Sequence, residues 1–119
     1  MLLIEGKMEP KYASFGLQGK RITLEQDNQE IARISVIYIK NDLHEEPYGL
    51  IEDLYIDESF RGKGLARKLF EAAIQTCKEQ GCYKIVATSR YSRTSVHDFY
   101  LRLGFKDYGK EFRLDFEKK

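Results

Sequence analysis

The chain reads as a mixed α/β domain, and three observations carry that reading. Its first half alternates apolar and polar residues between turn signals, and the stretch from Leu65 changes to a 3.6-residue repeat. A short apolar run from Cys82 then precedes a second helical pattern. Together they predict a mixed sheet: an antiparallel N-terminal meander, then strand, helix, strand, helix and a closing C-terminal hairpin.

Taken in order, "YASFGLQ" from Tyr12 and "RITLEQ" from Arg21 read as two strands flanking a hairpin loop at Gly19 and Lys20. "DNQ" from Asp27 makes the next reversal before "EIARISVIYIK". "NDLHEEP" from Asn41 is a polar loop closed by Pro47, and "YGLIEDLYID" from Tyr48 completes a meander of about four strands. No helical pattern precedes Lys63. After it, Leu65, Ala66, Leu69, Phe70, Ala73, Ile74 and Cys77 share one face, and Gly81 ends the helix. "CYKIVATS" from Cys82 follows as a short buried strand, so the helix is a crossover between parallel strands. Residues 93–103 form a second helix with Val96, Phe99, Tyr100 and Leu103 inward and Gly104 as its stop. "FKDYGKEFRLDF" reads as a hairpin around Gly109.

Composition narrows the function. At 119 residues, 42% hydrophobic and 13% aromatic, the chain can bury one modest core, so residues 1–119 are expected to form a single domain. Twenty basic residues against 19 acidic give a net charge of +1, which leaves no electrostatic footprint for nucleic acid or an acidic membrane. Apolar runs such as 34–39 fall well short of membrane-spanning length, and "MLLIEGKMEP" is too short and too quickly acidic for a signal peptide. A cytoplasmic protein is expected. Cys77 and Cys82 fit neither a CxxC nor a zinc spacing and read as free thiols. His44 and His97 stand far apart without partnering cysteines, so no metal is expected.

The most informative stretch is "DESFRGKGLARKLF", residues 57–70. A strand that feeds a glycine-rich turn into a helix N-terminus presents unpaired N–H groups and a positive dipole end, a natural seat for phosphate. Gly62 and Gly64 permit close approach to the backbone, and Arg61, Lys63 and Arg67 add charge. Neither a GxxxxGK[ST] loop nor a GxGxxG fingerprint is present.

"IEDLYIDESFRGKGLARKLFEAA", "GCYKIVATS" and "HDFYLRLGF", in this order, resemble the GNAT superfamily of acyl-CoA-dependent N-acetyltransferases. Arg61, Gly64 and Ala66 match its glycine-loop signature, and Phe99, Tyr100, Gly104 and Phe105 match a later FYxxxGF segment. "FRGKGLA" and "GCYKI" look most like glucosamine phosphate and polyamine-type members, whereas "RTSVHDFYLRLGF" looks more like aminoalkylphosphonate or aminoglycoside-type members. The resemblance implies that the guest is the pyrophosphate of acetyl-CoA, held by amides of Gly62, Lys63, Gly64, Leu65, Ala66 and Arg67 beside Arg61. It further implies that the main chain of Leu54, Tyr55 and Ile56 bonds the pantetheine arm, and that this strand splays from its parallel neighbour into a V-shaped cleft.

The implied reaction is direct attack of a neutral amine on the thioester, which needs a base for the ammonium and an acid for the thiolate. Tyr100 matches the family tyrosine that protonates the leaving sulfur; it reads equally as a packed aromatic among Val96, Phe99 and Leu103. Glu52 is the candidate base. Alternation places it on one face with Leu50, Leu54 and Ile56, where a carboxylate is costly unless paired or functional and where burial would adapt it to base work. Asp53 points the other way unless a bulge intervenes. Either carboxylate suits a cationic amine, and either reads equally as an ion-pair partner. His97 resembles the histidine that precedes FY in some members and is a candidate substrate contact. Arg93 stands where many members carry asparagine, and could meet a CoA phosphate instead.

The expected function is an acetyl-CoA-dependent N-acetyltransferase acting on a small primary amine. The alternative is a catalytically silent acyl-CoA-binding regulatory module, favoured by the missing helical pattern ahead of Lys63, where family members have two helices walling the acceptor. A homodimer would remedy that loss. It would cover Phe15, Leu17, Ile34 and Val36, and could lay the "NDLHEEP" loop over a neighbour's cleft.

Overall fold

The computed structural model describes residues 8–116. Strand β1 (Gln18–Gln26) pairs antiparallel with β2 (Gln29–Ile39), and β2 pairs antiparallel with β3 (Tyr48–Ile56). Beyond β3 lies the short parallel strand β4 (Ile85–Val86), so the sheet order is β1-β2-β3-β4. The mixed α/β class and the parallel crossover follow the sequence reading. Asp27 and Asn28, at φ 55° and 64°, form the two-residue turn that joins β1 to β2, a conformation those residue types tolerate.

Strict alternation along β2 builds the core. Ala32, Ile34, Val36 and Tyr38 point to one face, and helix α1 (Leu65–Glu79) lays Leu69, Phe70, Ala73 and Cys77 across them. All eight are buried, and each large apolar side chain among them contributes roughly 1.5–3 kcal/mol. Helix α2 (Thr94–Arg102) is short and completes the cluster from the side: Phe99, Tyr100 and Phe105 surround Phe70 at centroid distances of 5.5, 5.5 and 6.0 Å. Helix α1 closes in a Schellman arrangement, Cys82 N donating to Cys77 O (2.9 Å) and Gly81 N to Lys78 O (3.1 Å) around Gly81 at φ 76°. The two cysteines occupy the apolar contact that goes with this cap. Burial, with Cys82 beside it, pushes the Cys77 thiol up to about 12, which leaves it protonated and inert.

Three expectations are corrected. Gly19 and Lys20 lie inside β1 rather than in a loop: Gly19 faces Ile37, and an added Cβ would sit 2.5 Å from the Val36 carbonyl. The glycine records close backbone approach, not a turn. Residues 8–17 therefore form no separate strand, and the meander has three strands. Residues 105–116 form no hairpin, because Gly109 is not in the left-handed conformation of a tight hairpin turn and β4 offers a ladder of only two residues. Phe15, Tyr108, Phe112, Leu114 and Phe116 are exposed. The radius of gyration is 18.5 Å, against roughly 13.5 Å for a compact chain of this length. Ile34 and Val36, by contrast, are fully buried under α1 and need no second subunit to cover them. Among the described residues, no helix is long and apolar enough to cross a membrane.

Candidate functional site

The site begins where β3 leaves the ladder. Gly49 and Leu50 pair with Ile85 and Val86, and there the parallel pairing ends while β3 runs on to Ile56. From Ile51 onward the edge of β3 that faced β4 has no ladder partner among the described residues, which is what the cleft implied by the family resemblance requires. On its other edge the strand carries a bulge: Ser35 pairs with Glu52 and Arg33 with Tyr55, so Asp53 and Leu54 face the single residue Ile34. Asp53 sits there at φ 56°.

The bulge decides where each candidate side chain goes. Ile51 lies opposite Val36 on the α1 face, so Glu52, opposite Ser35, projects from the other face. It shares that face with Leu50, as expected, but no helix covers it and Glu52 is exposed rather than buried. Asp53 does not point to the opposite side freely; it is gripped by Arg33, with Nε–Oδ2 at 2.8 Å and Nη2–Oδ1 at 3.2 Å. That hydrogen-bonded pairing holds the Asp53 carboxyl below the usual carboxylate range. Leu54 and Tyr55 are partly exposed, and Ile56 returns to the core face opposite Ala32.

A tied-down turn follows β3. Asp57 N donates to Ile31 O (2.8 Å), while Asp57 Oδ1 accepts from Ser59 N (3.0 Å) and Ser59 Oγ (2.8 Å), capping a single 3-10 turn at Glu58–Phe60. Those two bonds lower the Asp57 carboxyl. Arg61 then folds back, its Nε donating to Ile56 O at 2.9 Å. Gly62 and Gly64 take φ 77° and 81°, and nothing lies within 4 Å of a Cβ built on either. Gly64 is the N-cap of α1 and supplies no side chain to the first-turn amides. The turn is thus an open stretch of backbone at a positive helix end, with room for an anion to approach that a Cβ would obstruct.

The basic residues divide. Arg61 shapes the turn through Ile56, and Arg67 pairs with Glu71 at 3.3 Å along the exposed face of α1. Lys63 is exposed at the turn itself. Leu65 and Ala66, half-buried, anchor and start the helix.

Across the splay, Tyr100 is half-buried against Phe70, Phe99 and Phe105, and its hydroxyl donates to Thr88 O at 3.4 Å. Burial raises the Tyr100 pKa, partly opposed by the positive charge of Arg93. Tyr100 thus packs with Phe70 on the α1 side, whereas Glu52 projects from the other face of β3. Arg93 is the N-cap residue of α2, three residues along from Arg90, whose carbonyl accepts from its N–H at 3.1 Å. His97 is occupied: its Nε2 lies 2.8 Å from the same Arg90 carbonyl, so the ring braces the loop ahead of α2. Arg33 and the Asp57 cap went unnoticed in the sequence. "DES" before "FRGKG" carries an Asx-turn signal that could have found Asp57, whereas a single arginine in an alternating strand carries none.

The "NDLHEEP" loop lies at the start of β3, about 25 Å along the strand from the glycine turn. His44 stacks on Tyr83 there at 4.2 Å, and Lys84 Nζ lies over the Tyr48 and Tyr83 rings. Within one chain it stands at the far end from the turn.

Comparison with known proteins places the fold and the family. The chain is 39% identical over 67 residues to glucosamine 6-phosphate N-acetyltransferase of Trypanosoma brucei brucei, covering 56% of this chain and 44% of that protein. It is 33% identical over 82 residues to N-alpha-acetyltransferase 30 of Schizosaccharomyces pombe, covering 67% and 55%. The chain thus spans about half the length of these curated relatives. Among solved structures, glucosamine-6-phosphate N-acetyltransferase from Arabidopsis thaliana superposes with a TM-score of 0.72 at 28% identity, over 82% of this chain and 66% of that one. The profile of the Acetyltransferase (GNAT) family matches residues 5–105, most of the sequence, and the chain belongs to that family.

Proposed function

We propose that the chain is an N-acetyltransferase that takes acetyl-CoA at the β3–α1 turn and transfers the acetyl group to a small primary amine. The observation that carries this reading is the released half of β3 running directly into the open glycine turn. When bound, acetyl-CoA supplies an activated thioester. The turn amides of residues 62–67, with Lys63 at the rim, hold the pyrophosphate, and the free edge at Leu54, Tyr55 and Ile56 aligns the pantetheine arm. Arg61 acts by shaping this turn, and Arg93 by its charge near Tyr100. Tyr100, kept protonated by burial, gives its hydroxyl proton to the departing sulfur. Glu52, exposed on the outer face of β3, takes the ammonium proton, directly or through water, so that the amine attacks as the free base. His97 is assigned a bracing role, since its Nε2 already faces the Arg90 carbonyl. Amino-sugar phosphates are the first acceptors to assay, since several relatives are named for that activity.

The test is thermal unfolding with and without CoA. A ligand at a hundred times its dissociation constant adds roughly 2.7 kcal/mol to stability. Gly64→Val, which puts a branched Cβ into the open turn at φ 81°, should remove the shift. An unmoved midpoint in saturating CoA for the intact protein overturns the reading. A normal shift without CoA release over a panel of amines leaves the silent acyl-CoA-binding module in its place.

A further inference from the structure

Three non-glycine residues among those described have positive φ, and two of them form the β1–β2 turn. The third, Asp53, lies inside a strand, at a bulge position that usually favours glycine. The bulge resets the alternation of β3. Counted straight on from Ile51, Asp53 and Tyr55 would face α1 and Ile56 would face outward; the extra residue returns Ile56 to the core and turns Tyr55 out. Ile56 O is also the acceptor that holds Arg61, so the shape of the bulge reaches the glycine turn through one carbonyl.

Arg33 spans this bulge from β2. It grips both Asp53 oxygens, at 2.8 and 3.2 Å, and its guanidinium lies over the Tyr55 ring 4.8 Å from the centroid. Behind it Glu30 approaches at 3.3 Å and is itself held by Arg21 at 2.7 Å. One planar cation thus fixes the residue before Leu54 and the residue after it, which lysine could not do.

We propose that Arg33 is a positioning residue for the cofactor: its two-pronged grip on Asp53 and its stack on Tyr55 hold the β3 bulge in the shape that aims the main chain of residues 54–56, and through Ile56 the Arg61 turn, at the acyl donor. Asp53 is then committed to the bulge and does not bind the amine. The inference rests on the proposed use of the released β3 edge by acetyl-CoA.

The experiment measures CoA affinity by calorimetry, together with the thermal midpoint, for the full chain and four variants. Arg33→Ala should weaken CoA roughly tenfold, the scale of coupling within one contact network. Arg33→Lys should restore only part of that loss. Asp53→Gly should weaken CoA less than Arg33→Ala does, because glycine takes the left-handed conformation without a clamp. In the Asp53→Gly background, Arg33→Ala should then cost less than about twofold. Wild-type binding with Arg33→Ala unaffected overturns the clamp alone. An equal loss from Arg33→Ala in both backgrounds also overturns it, since Arg33 would then act elsewhere. Should Arg33→Ala alone not fold, Arg33→Lys and the double variant decide between the same outcomes. Wild-type protein that fails to bind CoA overturns the functional reading and the clamp with it.

Discussion

Strand β3 is two strands in one. Its first half, from Tyr48 to Ile51, is paired with β2 throughout and with β4 at Gly49 and Leu50; Gly49 packs against Val36, Cys77 and Ile85, and Ile51 is buried. Its second half, from Glu52, is bulged on one edge, released on the other, and exposed until Ile56. The first half is what a sheet needs for stability. The second gives up ladder bonds and burial, which leaves backbone groups that a ligand can satisfy. Adjacent residues should therefore answer to different assays.

The sharpest form of that contrast is Ile51 against Glu52. Ile51→Ala should cost about 2–5 kcal/mol of stability by opening a cavity beneath α1, read as a lowered denaturation midpoint. Glu52→Gln should stay within about 0.5 kcal/mol in stability, as an exposed substitution, while slowing acetyl transfer. A Glu52 variant with full turnover would remove that side chain from the proposed chemistry.

Across the splay, Tyr100→Phe should leave CoA affinity intact and slow turnover about 10- to 1000-fold, the scale for loss of a proton donor. Unchanged turnover with the best amine would return Tyr100 to packing against Phe70 alone. Next in size is Gly49→Ala, whose new Cβ would collide with Cys77 Sγ and press on Val36; overpacking of this kind costs roughly 1–3 kcal/mol. The same change at Gly109, where nothing lies within 4 Å, should leave the midpoint unmoved.

The smallest effect is on pH. Glu30, Asp53 and Asp57 all have lowered folded-state pKa values, from hydrogen bonds with Arg21, Arg33 and Ser59 respectively. Their contribution is therefore complete above the ordinary carboxylate values of 4.5 and 3.8, and is lost as pH falls through the lower folded values. Stability should be flat near neutrality and decline only in acid. With Arg33→Ala the Asp53 share of that decline should vanish.

Helix α1 and the glycine turn were legible because local chemistry alone specifies them: a 3.6-residue apolar face, and glycines where the backbone must turn left-handed. The parallel order of β3 and β4 followed from that helix. The face of Glu52 followed from its alternation with Leu50 but its exposure did not, and the facing of Asp53 and Ile56 was hidden because the Asp53 bulge shifts the period by one residue and only the pairing with β2 reveals it. Gly19 misled for a related reason, since close approach to Val36 and a turn call for the same residue. The closing hairpin was read from Gly109 within "FKDYGKEFRLDF", but a glycine does not by itself make a turn, and the flanking Phe112, Leu114 and Phe116 find no strand to pair with among the described residues and stay exposed.

The parallel ladder joining β4 to β3 is only two residues long. Amide exchange should find it a weak seam: the β3–β4 amides should open locally and exchange well before those at the centre of β2, which is paired along both sides. Whatever bridges the splay, from the β3 edge to the Thr88 side, acts as a third rung in that seam. On the proposed function, bound CoA should slow exchange at β4 more than in β1, and the protein would draw part of its mechanical continuity from that ligand.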